Sequence, residues 1–414
     1  MSARIRRILF VVGVLVLLFF AYITAIKLAF VMFYFAVLLA VVSWLWTRLG
    51  TRRLAINRQA PNGAYEVGED FVEVLTVTNP ALVSLPWVEV LDRSSIPGYD
   101  AGRAVSVGRQ RERTWRTTGR FISRGRYRMG PTQLVAGDPF GLFQRTVTVP
   151  GDSAVTVYPR LVDVTKFLPG ASHTLGDTIA LGRFIDAPPD ASGIREYDPA
   201  DGFNRIHWPS TARLGRPMSK SFEKYEGSDL IIVLDLRSGV HTGEPPQSTL
   251  EYAVSLAASL AVLALRRNQS VGLACNDARR TLIPPARGGK QLRRILDFLA
   301  EVDADGGATL ETLLQGLASS RGRQSLVVVT PSLAGAWVDW LARVGLGGSH
   351  SNAVIYLDAG SFVSGVPGAA APRSLGEHTA WWSLTVDDEI FRRRPVPGVP
   401  AGEPSPVTPL RVAI

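Results

Sequence analysis

The densest concentration of chemically capable side chains runs from Arg195 to Glu223. It carries Arg195-Glu196-Tyr197-Asp198, then Asp201, Arg205, His207 and Trp208, then Arg213, Lys220 and Glu223. Acids, arginines and aromatics packed this closely can form their own ion-pair network and brace two domains against each other. Asp201 and His207 are also the types needed for a carboxylate orienting an imidazole base. That chemistry needs a nucleophile, and none stands out: the chain has no Gly-x-Ser-x-Gly and no His-Glu-x-x-His. The segment is therefore expected to be a structural clasp, and a hydrolase built on Asp201 and His207 is the alternative.

Other familiar chemistry is missing. Gly288-Gly289-Lys290-Gln291 lacks the spacing and the hydroxyl of a phosphate-binding loop, so it reads as an ordinary loop before a helix. His173, His207, His241, His350 and His378 show no metal-ligand spacing. A single cysteine, Cys275, excludes an internal disulfide framework and any cysteine-based zinc site. No cofactor and no metal are expected.

The elements around these residues sort into three kinds. Ile8–Ile26 and Leu28–Thr47 are free of charge, each close to the roughly 20 residues that cross a bilayer. Only Lys27 separates them, which predicts a transmembrane hairpin over residues 1–48. A signal peptide would not carry a second span of equal length. Arg4, Arg6 and Arg7 precede the hairpin and Arg48, Arg52 and Arg53 follow it, which predicts both ends in the cytoplasm and an inner-membrane location. Residues 49–160 read as a small all-β sandwich, with Phe71–Thr78 alternating at period two and Trp87–Val90 a second strand. Residues 161–226 are a connector. Residues 227–390 switch to strands alternating with helices: Leu230–Leu234, Val271–Ala274, Leu326–Val329 and Val354–Leu357 as buried strands, Thr249–Arg267, Lys290–Val302 and Ala336–Val344 as helices, and Trp381–Val386 as a last strand. That order predicts a doubly wound parallel sheet. The tail, 391–414, is expected to be disordered.

The 414 residues carry a net charge of +9, and 46% are hydrophobic, enough for a core of ordinary size. The balance favours an anionic neighbour. Nine arginines and one acid, Glu112, fall between Ala101 and Gly130. A solvated strand face, a face lying on anionic lipid headgroups or an acidic partner, and a nucleic-acid surface all fit that charge. Sparse aromatics speak against nucleic acid, and none is expected as a partner.

The motif residues resemble those of the bacterial family called "domain of unknown function 58". Arg195, Tyr197, Asp201, Arg205, Ile206, Trp208, Ala212, Arg213, Lys220, Phe222 and Glu223 fall on the family's pattern, with Ala200 in place of a usual glycine and Pro209 of a usual lysine. Asp138-Pro139-Phe140-Gly141-Leu142-Phe143, Val157-Tyr158-Pro159 and the two amino-terminal helices are similar to further family landmarks. The resemblance implies a carboxy-terminal half like a von Willebrand factor A domain, no established enzymatic activity, and genes encoded beside MoxR-type AAA+ ATPases.

Such A domains are adhesion or adaptor modules that hold a divalent metal through Asp-x-Ser-x-Ser after the first strand, with a threonine and an aspartate from later loops. Here the first strand runs into Asp235-Leu236-Arg237-Ser238-Gly239, and a later one into Thr330-Pro331-Ser332. After the first strand only Asp235 matches: Arg237 and Gly239 remove both hydroxyls and Ser238 is out of register, and after the later strand the second acid is missing as well. The implied site is degraded and metal-free, and Arg237 is expected to pair with Asp235 in place of the cation. These residues would form an interaction edge. The expectation is a membrane-anchored cytoplasmic adaptor, not an enzyme, that partners a MoxR-type ATPase.

Overall fold

The computed structural model describes residues 3–59, 61, 63–151, 153–167, 193–197, 206–221, 229–318, 324–333, 336–344, 352–363 and 379–391. The chain divides into two compact units, the first built on Met1–Arg160 and the second on most of the residues from Leu161 onward.

The first unit begins with α1 (Ala3–Thr24) and α2 (Lys27–Gly50). Only Ala25 and Ile26 separate them, with Ala25 in the left-handed region at φ 52°, so the hairpin is as tight as the sequence predicts, and Lys27 opens the second helix. Ala21 and Ala29 are buried where the two helices meet, small side chains that allow close approach. Their flanking Ile, Leu, Val and Phe side chains face outward. Predominantly apolar spans of 20 residues in one helix and 24 in the other give lengths of about 30 and 36 Å, enough to cross a hydrocarbon core.

An all-β body follows: β1 (Ala55–Gln59), β2 (Tyr65–Glu66), β3 (Asp70–Asn79), β4 (Leu85–Asp92), β5 (Arg103–Val107), β6 (Arg111–Arg120), β7 (Gly125–Met129), β8 (Thr132–Gly137), β9 (Gln144–Val149) and β10 (Ser153–Tyr158). Sheets ordered β1-β3-β6 and β5-β4-β8-β9 enclose one core around Leu75, Val88 and Trp115, and the small sheet β2-β10-β7 contributes to a second core around Phe71, Phe121 and Val157. Two facing sheets around a shared core have the layering of a β-sandwich. All four arginines of β6 are exposed, Arg116 and Arg120 on its outward face and Arg111 and Arg113 on the face of Trp115 toward the strand's start, and Arg120 forks onto Asp70 across the β3–β6 ladder at 2.6 and 3.0 Å.

Period two puts one acid inside. Phe71, Glu73, Leu75 and Val77 share the inward face of β3, and Glu73 is completely buried. Arg58 of β1 forks onto both its oxygens and onto both oxygens of Asp92, at 2.7 and 3.1 Å for the latter, while the Tyr99 hydroxyl donates to Glu73. Burial works against the charge on Arg58, but the two carboxylates outweigh it and hold the guanidinium firmly protonated.

The second unit is α/β. Leu161–Phe167, the first part of the expected connector, lies on it: Val162 N donates to Ser259 Oγ at 2.8 Å, and the Phe167 ring meets Trp382 at 5.3 Å. Then come β11 (Gly193–Glu196), α3 (Trp208–Leu214), β12 (Met218–Ser221), β13 (Asp229–Leu234), β14 (Gly243–Glu244), β15 (Gln247–Ser248), α4 (Thr249–Arg266), β16 (Val271–Cys275), β17 (Leu282–Ala286), α5 (Gly289–Glu301), α6 (Leu310–Ala318), β18 (Gln324–Thr330), α7 (Trp337–Val344), β19 (Asn352–Leu357) and β20 (Thr379–Leu384). The main sheet has the order β17-β16-β13-β18-β19-β20. Five of these strands are parallel, and β17 is an antiparallel edge paired to β16 across a register shift. This corrects the all-parallel expectation. Pro284 and Pro285 read as a break in the sequence, yet a proline fits a strand at an edge, where the missing N–H costs no ladder bond. α4 is long and apolar enough to cross a membrane, but most of it is buried on the sheet, so its apolar faces already have partners. The expected disordered tail lies outside the described residues apart from Phe391, which ends a short 3-10 turn.

Replacing Arg58 by Met should leave Glu73 and Asp92 buried without their cation and lower the unfolding free energy by about 3–5 kcal/mol, read by denaturant unfolding of the detergent-solubilised chain. Burial alone would raise the Asp92 carboxyl, but the Arg58 hydrogen bonds win and hold it below the usual range. The stability it contributes is complete above the unfolded value of about 3.9 and is lost as pH falls toward the lower folded value. The Met variant should show a shallower loss in that acid window, and an unchanged profile would contradict the assignment.

Candidate functional site

Strand order places the site. Chain connections run outward from β13 in both directions, to β16 on one side and, later, to β18 on the other, so the order reverses between β13 and β18. In open α/β sheets, ligands bind at the carboxyl ends of the strands at such a reversal. The residues there are Asp235, just past β13, and Thr330, which ends β18.

Both are buried. Thr330 Oγ1 donates to Asp235 Oδ2 at 2.8 Å and accepts from Ser332 N at 3.0 Å. The other Asp235 oxygen accepts from Asn276 Nδ2 at 2.8 Å and from Arg237 N at 3.3 Å. Asn276, just after β16, also donates to Ala308 O at 3.0 Å, and its own oxygen accepts from Leu236 N. His241 Nε2 lies 2.8 Å from the Asp235 main-chain carbonyl, and its Nδ1 lies 3.1 Å from Thr249 Oγ1. A carbonyl only accepts, so Nε2 carries a proton. Close packing of the loops depends on Gly306: a Cβ there would sit 1.8 Å from the Asn276 carbonyl.

The carboxylate of Asp235 thus has three donors from within the chain, and Asn276 uses every group it has. Sequence reasoning missed Asn276 because it has no spacing relation to Asp235; its position directly after a buried strand was the available signal. The expected pairing of Arg237 with Asp235 does not form. The Arg237 guanidinium reaches Ser332 Oγ at 3.4 Å instead, since the backbone after Asp235 turns so that only the main-chain N–H of Arg237 faces the carboxylate. Ser238 is exposed and donates its N–H to Gly306 O at 2.8 Å. Among the described residues, no three His, Cys, Asp or Glu side chains converge as metal ligands would. Cys275 is fully buried; that burial and, after it, the Asp277 charge push its thiol well up, which makes it a poor nucleophile.

The clasp motif is described in part. β11 and β12 form an antiparallel hairpin that sets Arg195 opposite Ser219 and Ile194 opposite Lys220. His207 caps α3, accepting from Ser210 N at 3.3 Å, and Gly215 closes the helix in the left-handed region at φ 66°. Thr211 Oγ1 accepts from Met218 N at 3.0 Å, and Tyr197 N donates to Pro217 O at 3.0 Å. The ion pair seen here joins Arg216 and Glu196. Trp208 and Arg213 are exposed. Asp201, Arg205 and Glu223, and the side chains of Arg195 and Lys220, lie outside the described residues. Of the two residues weighed for hydrolysis, His207 has its Nδ1 engaged at 2.8 Å with Ser210 Oγ.

Residues 193–357, the hairpin and the sheet as far as β19, match the family described as "Protein of unknown function DUF58". The uncharacterized protein YeaD of Bacillus subtilis (strain 168) is 24% identical over 191 residues, 44% of this chain and 44% of YeaD, so the chain spans less than half the length of that curated relative. A crystallised CARDB domain from Pyrococcus furiosus is 17% identical and covers 25% of this chain and 86% of its own, with a TM-score of 0.19. The C-terminal domain of wzt is 13% identical and covers 26% of this chain and 72% of its own, with a TM-score of 0.21. Neither score carries a structural or functional argument.

Asn276→Ala would orphan Leu236 N and Ala308 O and leave one Asp235 oxygen with only the longer bond from Arg237 N. It should cost at least about 2 kcal/mol of unfolding free energy, measured by denaturant unfolding. A loss under about 0.5 kcal/mol would show that water replaces the amide freely.

Proposed function

We propose that this protein is a membrane-anchored interaction protein without a reaction of its own, with its folded units on the cytoplasmic side of the inner membrane and a MoxR-type AAA+ ATPase as partner. The observation that carries the reading is the closed network at the sheet's carboxyl edge. Where an open α/β sheet would take a ligand, the polar groups satisfy one another, leaving the rim a rigid surface rather than a reaction centre. On this reading the α/β unit is a von Willebrand factor A-like module that has exchanged its cation for Asn276 and an inward-facing threonine. Arg237, Ser238 and the exposed Trp208 and Arg213 then supply side chains for contact. Topology rests on the arginines flanking the hairpin, and the ATPase on the family resemblance. Anchoring confines the rim to two dimensions and raises its effective concentration toward a membrane-associated partner.

Two measurements test this. Tagged full-length protein solubilised from native membranes should co-purify an AAA+ ATPase, read by mass spectrometry; its reproducible absence relative to an untagged control would oppose the reading. Calorimetric titration with Mg²⁺ should give no saturable micromolar heat, and such heat would restore a metal-dependent site.

A further inference from the structure

Two loops of the sandwich are built with care and have no part in the reading above. The first is the turn Asp138–Phe143 between β8 and β9. Asp138 is completely buried, and its carboxylate accepts from the N–H groups of Phe140 at 2.9 Å, Leu142 at 3.3 Å and Phe143 at 2.6 Å. Gly141 turns the chain in the left-handed region at φ 70°. So pinned, the turn offers the Phe143 carbonyl to Thr47 Oγ1 of α2 at 3.3 Å and leaves the Phe140 ring 60% exposed.

The second loop, 80–84, joins β3 to β4. Asn79 is buried and fastens it, donating to Val83 O at 2.9 Å and accepting from Ala81 N at 3.1 Å. Ser84 O accepts from Trp46 Nε1 at 3.0 Å, and Leu82 stands 75% exposed at the tip. Both loops therefore bear on Trp46 and Thr47, at the end of α2 where Trp44 and Trp46 precede Arg48, Arg52 and Arg53. Aromatic rings followed by cations mark the headgroup level of a spanning helix.

We propose that Phe140 and Leu82 are seated in the interfacial layer of the same bilayer that α1 and α2 cross, two apolar toes that fix the sandwich on the membrane surface. The occupant is lipid because both loops are bonded to the end of α2, a helix whose apolar side chains face outward and whose end carries cations that suit anionic headgroups. The opposite end of the sandwich supplies an internal comparison. β3 runs from Asp70 to Asn79, about 30 Å, and Ile122 lies in the loop beside its Asp70 end, where Phe121 N bonds Glu69 O at 3.0 Å. Ile122 is exposed, at 48%, but far from Trp46 along the strand.

The proposal rests on the hairpin being the membrane anchor, and the test separates the two. Single cysteines replace Phe35 (mid-α2, outward-facing), Leu82, Ile122 and Phe140 in the full chain; Cys275, being buried, stays unlabelled. Each variant is reconstituted in phosphatidylcholine–phosphatidylglycerol vesicles, labelled with an environment-sensitive fluorophore, and quenched by lipids brominated either near the headgroup or deep in the tail. The expected result is loss of most emission at 35 with the deep quencher and at 82 and 140 with the shallow one, and little loss at 122. Labels at 82 and 140 that match 122 while 35 is quenched overturn the toes and spare the anchor. A label at 35 that neither quencher reaches overturns both.

Discussion

Along α1 and α2, apolar side chains face outward, and no other part of the described chain covers them. Water makes that surface costly, and only hydrocarbon or another apolar body removes the cost. Everything else in the first unit is arranged around this constraint. The helices turn within two residues, both chain ends of the hairpin carry arginines, and the sandwich is attached through hydrogen bonds from the last turns of α2 rather than through a free linker. The β domain is thus fastened to one of the two helices that carry the apolar surface.

Two buried acids show the same rule applied in different ways. Glu73 enters the sandwich core because strand alternation puts it there, and it is matched by a shared guanidinium. Asp235 sits at the reversal of the sheet and is matched by neutral donors from Thr330, Asn276 and the backbone. An ion pair in the first case and a hydrogen-bonded cage in the second both avoid leaving a buried charge alone. The second solution uses only groups of the chain itself.

Much of this was legible in the residues. The helical spans, the alternation of β3, the continuous apolar run of β13 and the spacing of α4 all have strong periodic signals, and each forms within a few residues of its expected bounds. What escaped has identifiable causes. β17 hides behind Pro284-Pro285, which reads as punctuation until its edge position is known. α6 is only nine residues long; Leu310, Leu313, Leu314 and Leu317 do recur at helical spacing and pack on the core, but the run is too short to stand out between polar loops. Asn276 and Asp235 are 41 residues apart, and no local pattern relates them. Arg237 was misassigned because nearness in sequence does not fix direction: the turn after Asp235 sends the side chain toward Ser332. The Asp138 motif was visible as a resemblance, but its role in locking a turn needed coordinates.

The proline pair in β17 has one more consequence. A bare rim of a sheet invites a strand from another molecule, the usual start of runaway self-association. Here two successive residues, Pro284 and Pro285, have no hydrogen to donate, and since strand N–H groups alternate in direction, one of them breaks the outward ladder a newcomer would need. Such a rim works as a stopper against fibrous growth.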